Sequence, residues 1–133
     1  MKGNNNVQWD GKKLAVPGAV GAQPGYSIIE MLKGQGVKVD DGGKTADDNL
    51  KKVLSGRVDA AALQTLEGNN SLTNEEFAAK IEKVTPTLVD KPFFLMLSKQ
   101  FVGKYGEFSK EIWNTVAQLR ESAEFKAKAA AFR

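Results

Sequence analysis

The amino-acid sequence predicts an α/β fold in which helices sandwich a mainly parallel sheet. Short apolar segments of strand length alternate along the chain with segments whose apolar residues recur at helical spacing. Residues 58–63 are apolar except for Asp59 and show no alternation, as in parallel strands that are covered on both faces. Gly56 precedes them and suits the left-handed conformation that closes a helix. The order βαβαβ(α)β, followed by two C-terminal helices, favours this fold class.

Each element has its own local signal. Five segments have the length and apolar character of strands: residues 14–17, 37–39, 58–63, 84–89 and 93–97. Helices are predicted over residues 26–33, 46–54 and 74–82, then from residue 98 onward, and loops over residues 17–25, 40–43 and 69–70. Thr45 with Asp48, and Thr73 with Glu76, have the spacing of capping boxes at helix starts. Pro residues at 86 and 92 restrict the last two strands to strand ends or sheet edges.

Composition limits the possible chemistry. The chain has 133 residues, of which 41% are hydrophobic and 26% charged, and its net charge is +3. The basic residues are scattered, which argues against nucleic acid as a partner because such binding requires a concentrated basic face. The absence of cysteine and histidine from the sequence excludes disulfides, thiolate catalysis, histidine bases and the usual zinc sites. We therefore expect no metal and no cofactor.

Four segments occur in an order that resembles one protein family. They are residues 11–16 (GKKLAV), 56–62 (GRVDAAA), 91–99 (KPFFLMLSK) and 111–122, which begins EIWN and ends RES. Together they resemble bacterial extracellular solute-binding proteins of the polar-amino-acid ABC transporter type, which have the type II periplasmic binding protein fold of two α/β lobes. The resemblance implies that residues 1–97 form the second, ligand-binding lobe. It also implies that residues 98–133 are C-terminal helices that pack on the first lobe or on a partner chain.

The resemblance also implies a function. The chain would be the solute-binding module of an ABC importer, located in the periplasm, and would hold a small anionic or amino-acid-like solute between lobes without enzymatic chemistry. Its partners would be an ABC permease and the first lobe, which we expect to be missing because it would precede Trp9. Residues 1–6 are polar, and we do not expect them to belong to a signal peptide.

The predicted ligand site has two parts. The first is the loop at residues 17–25, placed at the carboxyl edge of the sheet, where open α/β sheets bind ligands. We expect its backbone N–H groups and the helix start that follows to hold an anion. The ligand-binding residues predicted there are Gly18, Ala19, Val20, Gly21 and Gln23. In the family this loop often carries Ser or Thr, so Val20 and Gly21 would leave only backbone donors.

The second part follows the GRVDA strand. Gln64 stands where the family commonly has an aspartate for the ammonium group of the ligand, and Thr65 follows it. A neutral amide does not neutralise a cation, and burial of an unpaired ammonium is costly. The sequence therefore argues against recognition of an ordinary α-amino acid.

Several alternatives stay open. Both parts of the site have a purely structural interpretation, as a glycine turn and as a loop. A dehydratase-like enzyme for cyclic acids would need Glu67 within hydrogen-bond reach of residues 18–23. A truncated lobe without solute function would form a homodimer through an apolar stripe of Phe101, Tyr105, Phe108, Ile112 and Val116. Gly18, Gly21 and Gly25 do not have the spacing of a dinucleotide-binding fingerprint, so a dinucleotide site is disfavoured. Residues 40–48 lack the ligand spacing of a calcium loop, which is disfavoured in the same way.

Overall fold

The computed structural model describes residues 2–3 and 6–130. The chain divides into two compact units, the first ending at Val89 and the second beginning at Asp90. The elements of the first unit are β1 (Gln8–Trp9), β2 (Leu14–Ala15), β3 (Ala19–Ala22), α1 (Ile28–Gly34), β4 (Lys38–Asp40), α2 (Ala46–Leu54), β5 (Ala60–Ala62), α3 (Thr65–Ser71) and α4 (Glu75–Ala78). The second unit contains α5 (Lys99–Lys104), α6 (Gly106–Glu121) and α7 (Ala123–Ala130).

A three-stranded parallel sheet lies at the centre of the first unit. β3 is the middle strand, with β4 on one side and β5 on the other. Val20 is the register partner of Val39 on β4 and of Ala60 on β5. The mixed α/β class with a parallel sheet is therefore confirmed.

Two apolar clusters cover opposite faces of this sheet. Val20 packs with Leu32 of α1, whereas its neighbour Ala19 packs against the cluster that contains Leu50 of α2. Because consecutive residues of a strand point to opposite faces, α1 and α2 lie on opposite sides of the sheet. Phe77 of α4 is 1% exposed and completes the cluster on the α2 face.

The joint from α2 to β5 forms as the sequence predicts. Thr45 and Asp48 make both hydrogen bonds of a capping box, each at 3.1 Å. At the other end Gly56 has φ +71°. Its N–H donates to Val53 O at 3.1 Å, and the N–H of Arg57 donates to Lys52 O at 2.9 Å. This is a Schellman motif, which requires a residue that tolerates positive φ.

Two predictions about the start of the sheet are wrong. Residues 14–15 form β2, which pairs antiparallel with β1 in a separate two-stranded sheet. The parallel sheet instead begins with β3, inside the segment predicted as a glycine loop. Three of the four residues of β3, Ala19, Gly21 and Ala22, are small and have low strand propensity, but small side chains suit a central strand that helices cover on both faces.

Residues 84–89 and 93–97 contain no strand, so the prediction of two further strands is wrong. Trp9 Nε1 donates to Pro86 O at 2.8 Å and fastens the first of these segments to the hairpin of β1 and β2. Trp113 Nε1 donates to Leu95 O at 2.9 Å and fastens the second to α6. A hydrophobic run alone does not form a strand, because it also needs a neighbouring strand with which to pair.

Two local predictions on α3 and α4 are also wrong. Asn69 and Asn70 belong to α3 rather than to a loop. α4 begins after Asn74, whose side chain accepts a hydrogen bond from the N–H of Glu76 at 2.9 Å. Thr73 Oγ1 instead donates to Asn70 O at 2.7 Å, so Thr73 closes α3 and does not cap α4.

The second unit contains three helices among its described residues, where two were predicted. The chain leaves helical geometry at Tyr105, with φ −131°, and at Ser122, with ψ 147°. Gly103 and Gly106 flank the first break and have low helix propensity. The boundary between the units lies between Val89 and Asp90, so residues 90–97 group with the helices and not with the first unit. Within the described residues, no helix has both the length and the apolar character that a membrane span requires.

Candidate functional site

The chain adds strands to one side of β3 and then to the other, so the strand order reverses between β3 and β5. From β3 the chain passes through α1 to β4 on one side, then returns through α2 to β5 on the other side. The loops that follow β3 and β5 therefore begin at the same end of two adjacent parallel strands. In open α/β sheets a crevice forms at the carboxyl ends of strands at such a switch point, and ligands bind there.

Three predicted site residues lie at the carboxyl edge of the parallel sheet. Gln23 follows the last residue of β3, and Gln64 and Thr65 follow β5 at the start of α3. Ala22 and Ala62 are register partners, so the residues after them begin at the same level of the sheet. Gln64 and Thr65 are exposed to solvent. The structure thus brings the two predicted parts of the site together through Gln23, Gln64 and Thr65.

The other four predicted residues do not form a loop at this edge. Ala19, Val20 and Gly21 lie within β3, whose backbone is hydrogen-bonded to strands on both sides. Gly18 precedes the strand at its amino end, and its N–H donates to Asp59 Oδ2 at 2.6 Å. The backbone donors predicted at residues 18–21 are therefore engaged within the fold.

The loop after β3 is a tight turn. Gln23 O accepts from the N–H of Tyr26 at 3.5 Å, and Gly25 has φ +84°. Pro24 at the second position and a glycine with positive φ at the third are the signature of a type II turn. The Pro-Gly pair is the sequence signal that could have placed the end of β3 at residue 22.

The loop after β4 is held by a buried asparagine. Asn49 is fully buried on α2, and its Nδ2 donates to Gly43 O at 3.2 Å and to Thr45 O at 2.9 Å. Lys44 O in the same loop accepts from Gln23 Nε2 at 3.3 Å. Asn49 therefore fixes the loop against which the Gln23 side chain rests.

An ion pair strengthens the same region. Lys52 Nζ lies 2.6 Å from Asp40 Oδ1, which also accepts from the N–H of Gly42 at 2.9 Å. The hydrogen bond from Lys52, followed by that from Gly42, lowers the pKa of the Asp40 carboxyl below its ordinary value. Asp40 thus has a structural role at the end of β4.

Three buried acceptor oxygens receive no hydrogen bond from any described residue: Gln23 Oε1, Asn49 Oδ1 and Glu67 Oε2. Asn49 Oδ1 packs closely against two glycines, since a Cβ at residue 21 or 43 would lie 2.7 or 2.5 Å from it. The other two oxygens belong to the elements on either side of the switch point. The described hydrogen bonds include none between Glu67 and residues 18–23.

A separate hollow of about 280 Å³ lies over the hairpin of β1 and β2. Its lining residues are Gln8, Trp9, Asp10, Lys13 and Ala15. None of them belongs to the loops at the carboxyl edge. Within the described part of the chain, no group of three or more acidic side chains is placed to hold a metal ion.

Comparison of the chain with protein-family models, with curated proteins and with solved structures gave no match. Its own residues and their geometry therefore carry the functional interpretation that follows.

Proposed function

We propose that the first unit is a solute-binding module that holds a small polar molecule between the loops after β3 and β5. The observation that carries the proposal is that Gln23 and Gln64 extend from adjacent parallel strands at the switch point of the sheet. The exposed amide of Gln64 offers two donors and one acceptor, whereas Gln23 Nε2 already donates to Lys44 O and Gln23 Oε1 is buried. Gln64 would therefore make the main contacts to a polar solute, without bond making or breaking. In finer terms, the fold would be one lobe of a type II periplasmic binding protein.

The proposed mechanism is reversible binding at a half-formed cleft. One sheet edge contacts only one side of a small ligand, whereas tight sites bury most of the ligand surface. The module would therefore bind weakly alone and more tightly when a second lobe or another protein covers the solute. Delivery to an ABC permease in the periplasm is part of the same proposal, since the sequence resemblance implies it.

Calorimetry against a library of polar solutes tests the proposal. We expect at least one solute to bind with a dissociation constant of about 1 mM. Gln64→Ala should abolish that heat, whereas Gln35→Ala, an exposed residue at the other end of α1, should leave it unchanged. Absence of binding across the library, or equal binding by the Gln64→Ala variant, would contradict the proposal.

A second proposal concerns the helices of the second unit. Tyr105 is 45% exposed and Phe108 is 55% exposed. The ring of Phe101 lies 5.2 Å from that of Tyr105 and 6.3 Å from that of Phe108. We propose that this aromatic cluster and the adjacent α6 stripe mediate homodimer formation, because large exposed apolar patches usually mark interfaces.

Sedimentation tests the dimer directly. The wild-type chain should show a concentration-dependent shift from monomer to dimer in the micromolar range. Val116→Asp on the stripe should keep the chain monomeric, whereas Asn114→Asp, at an exposed polar position of the same helix, should not. A wild-type chain that stays monomeric at every concentration would exclude the dimer.

A further inference from the structure

We propose that the solute bound at the switch point is a hydrogen-bond donor without net negative charge. This inference rests on the proposed function and defines its ligand class. It differs from the anionic solute that the sequence suggests, because the structure changes which groups face the site.

Cationic side chains are absent from both loops at the switch point. Residues 23–27 and 63–67 contain no Lys and no Arg. Lys44 lies beside Gln23, whose Nε2 donates to Lys44 O at 3.3 Å, but it belongs to the loop after β4 and not to either loop at the switch point. Lys52 is already paired with Asp40. An anion held between these two loops would find no cationic side chain on either of them, although a desolvated carboxylate or phosphate requires a charged partner.

The two helices that begin at this edge already carry negative charge. Glu30 lies in the first turn of α1 and Glu67 in the first turn of α3. A carboxylate in the first turn occupies the place where the helix dipole favours an anion, and it repels a second anion. The helix starts therefore do not replace the backbone donors that β3 uses within the sheet.

The groups that lack partners are acceptors. Gln23 Oε1 and Glu67 Oε2 are buried, and no described residue donates a hydrogen bond to either atom. Buried acceptors without donors are destabilising, and a ligand that supplies a donor removes that penalty. Both oxygens are covered by the chain, so binding requires rotation of the Gln23 or Glu67 side chain. An amine and a polyol share the donor chemistry that fits.

Three probes of equal chain length separate the possibilities: 1,4-diaminobutane, erythritol and succinate. Each is titrated into ¹⁵N-labelled protein at constant ionic strength, and the side-chain amide signals of Gln23 and Gln64 are followed. We expect the diamine or the polyol to shift both signals in a saturable manner and succinate to shift neither. The side-chain amide of Gln35 serves as the internal control.

A charge-removing variant identifies which donor is preferred. Glu67→Gln keeps an acceptor oxygen but removes the negative charge. It should weaken diamine binding roughly tenfold, or about 1.4 kcal/mol, and weaken erythritol binding by a much smaller factor, because erythritol carries no charge. Glu75→Gln, at an exposed position in the first turn of α4, should change neither affinity.

The outcomes distinguish this inference from the proposed function. Saturable succinate binding at Gln23 and Gln64 would overturn the donor inference while supporting a solute site. If none of the three probes shifts these signals at about 50 mM, the donor inference is overturned. The broader calorimetric library then decides separately whether the module binds any solute.

Discussion

The carboxylate of Asp59 accepts a hydrogen bond from the backbone N–H of Gly18, with 2.6 Å between Oδ2 and the nitrogen. The N–H of Asp59 in turn donates to Ala19 O at 2.9 Å. These two bonds join the amino ends of β3 and β5. The aspartate of the GRVDA segment therefore sets the register of the two strands between which the proposed site lies.

Loss of the Asp59 carboxylate should destabilise the first unit. Asp59→Asn replaces a charged acceptor by a neutral one, and we expect the free energy of unfolding to fall by about 1 kcal/mol. Chemical denaturation measures this change. Asp41→Asn, at an exposed position after β4, is the matched control and should have little effect. Equal stability of both variants would show that the Asp59 bond does not hold the strands.

The close packing of Asn49 against Gly21 and Gly43 should leave no room for a methyl group at either glycine. A Cβ at residue 43 would lie 2.5 Å from Asn49 Oδ1, and one at residue 21 would lie 2.7 Å from it. We expect Gly43→Ala and Gly21→Ala each to lower the free energy of unfolding by about 1–3 kcal/mol through overpacking. Thermal denaturation measures the effect.

Two further variants control for the general effect of adding a methyl group. Gly34→Ala has open space around its Cβ and should be neutral or slightly stabilising. Asn49→Ala in the Gly43→Ala background should cost less than the sum of the two single changes, because the clash disappears. Strict additivity in that cycle would contradict the packing explanation.

The ion pair between Lys52 and Asp40 should make stability depend on acid pH. The pKa of Asp40 is lowered from an ordinary value of 3.8, chiefly by the hydrogen bond from Lys52. The unfolded chain therefore binds this proton more readily than the folded chain does. The stabilisation is present above the unfolded pKa and is lost as the pH falls through the folded pKa.

Asp40→Asn should therefore reduce the loss of stability between about pH 5 and pH 2. Urea unfolding at a series of pH values measures the slope. Other carboxyls with lowered pKa, such as that of Asp48, will keep part of the slope in the variant. Identical acid profiles for wild type and Asp40→Asn would contradict a role for the pair.

The assignment of residues 19–22 to a central strand predicts slow hydrogen exchange. The amides of Val20, Gly21 and Ala22 should be among the best protected in the first unit, since β3 is paired on both sides. Exchange measured by NMR in D₂O reports each amide separately. Rapid exchange of all three would support the glycine loop that the sequence predicts.

The sequence predicts the joint from α2 to β5 because its signals are local. A capping box, an apolar helix face and a glycine at the helix end each act within a few residues. β3 is not predicted, because small residues have little strand propensity and its central position depends on its neighbours. The run at residues 93–97 shows the converse, since strong strand propensity does not supply a strand to pair with.

The site is predicted in part for the same reason. Gln64 and Thr65 follow a strand that the sequence identifies, and their position can be counted from it. Gln23 is predicted as part of the loop at residues 17–25, but Ala19, Val20 and Gly21, which are predicted in the same loop, lie in β3. Asn49 is missed, although its helical spacing with Ala46 and Val53 places it on the buried face of α2. A polar residue on a buried helix face needs hydrogen-bond partners, so its position in the sequence indicates that it binds neighbouring backbone groups.

The most direct test of the central claim is to map the binding position of a solute that calorimetry identifies. Backbone and side-chain amide shifts are recorded during its titration into the labelled chain. We predict that the shifts centre on residues 23–27 and 63–67, with little change at residues 8–15 around the separate hollow. Shifts centred on the hairpin of β1 and β2, with residues 23 and 64 unaffected, would contradict a solute site at the switch point of the sheet.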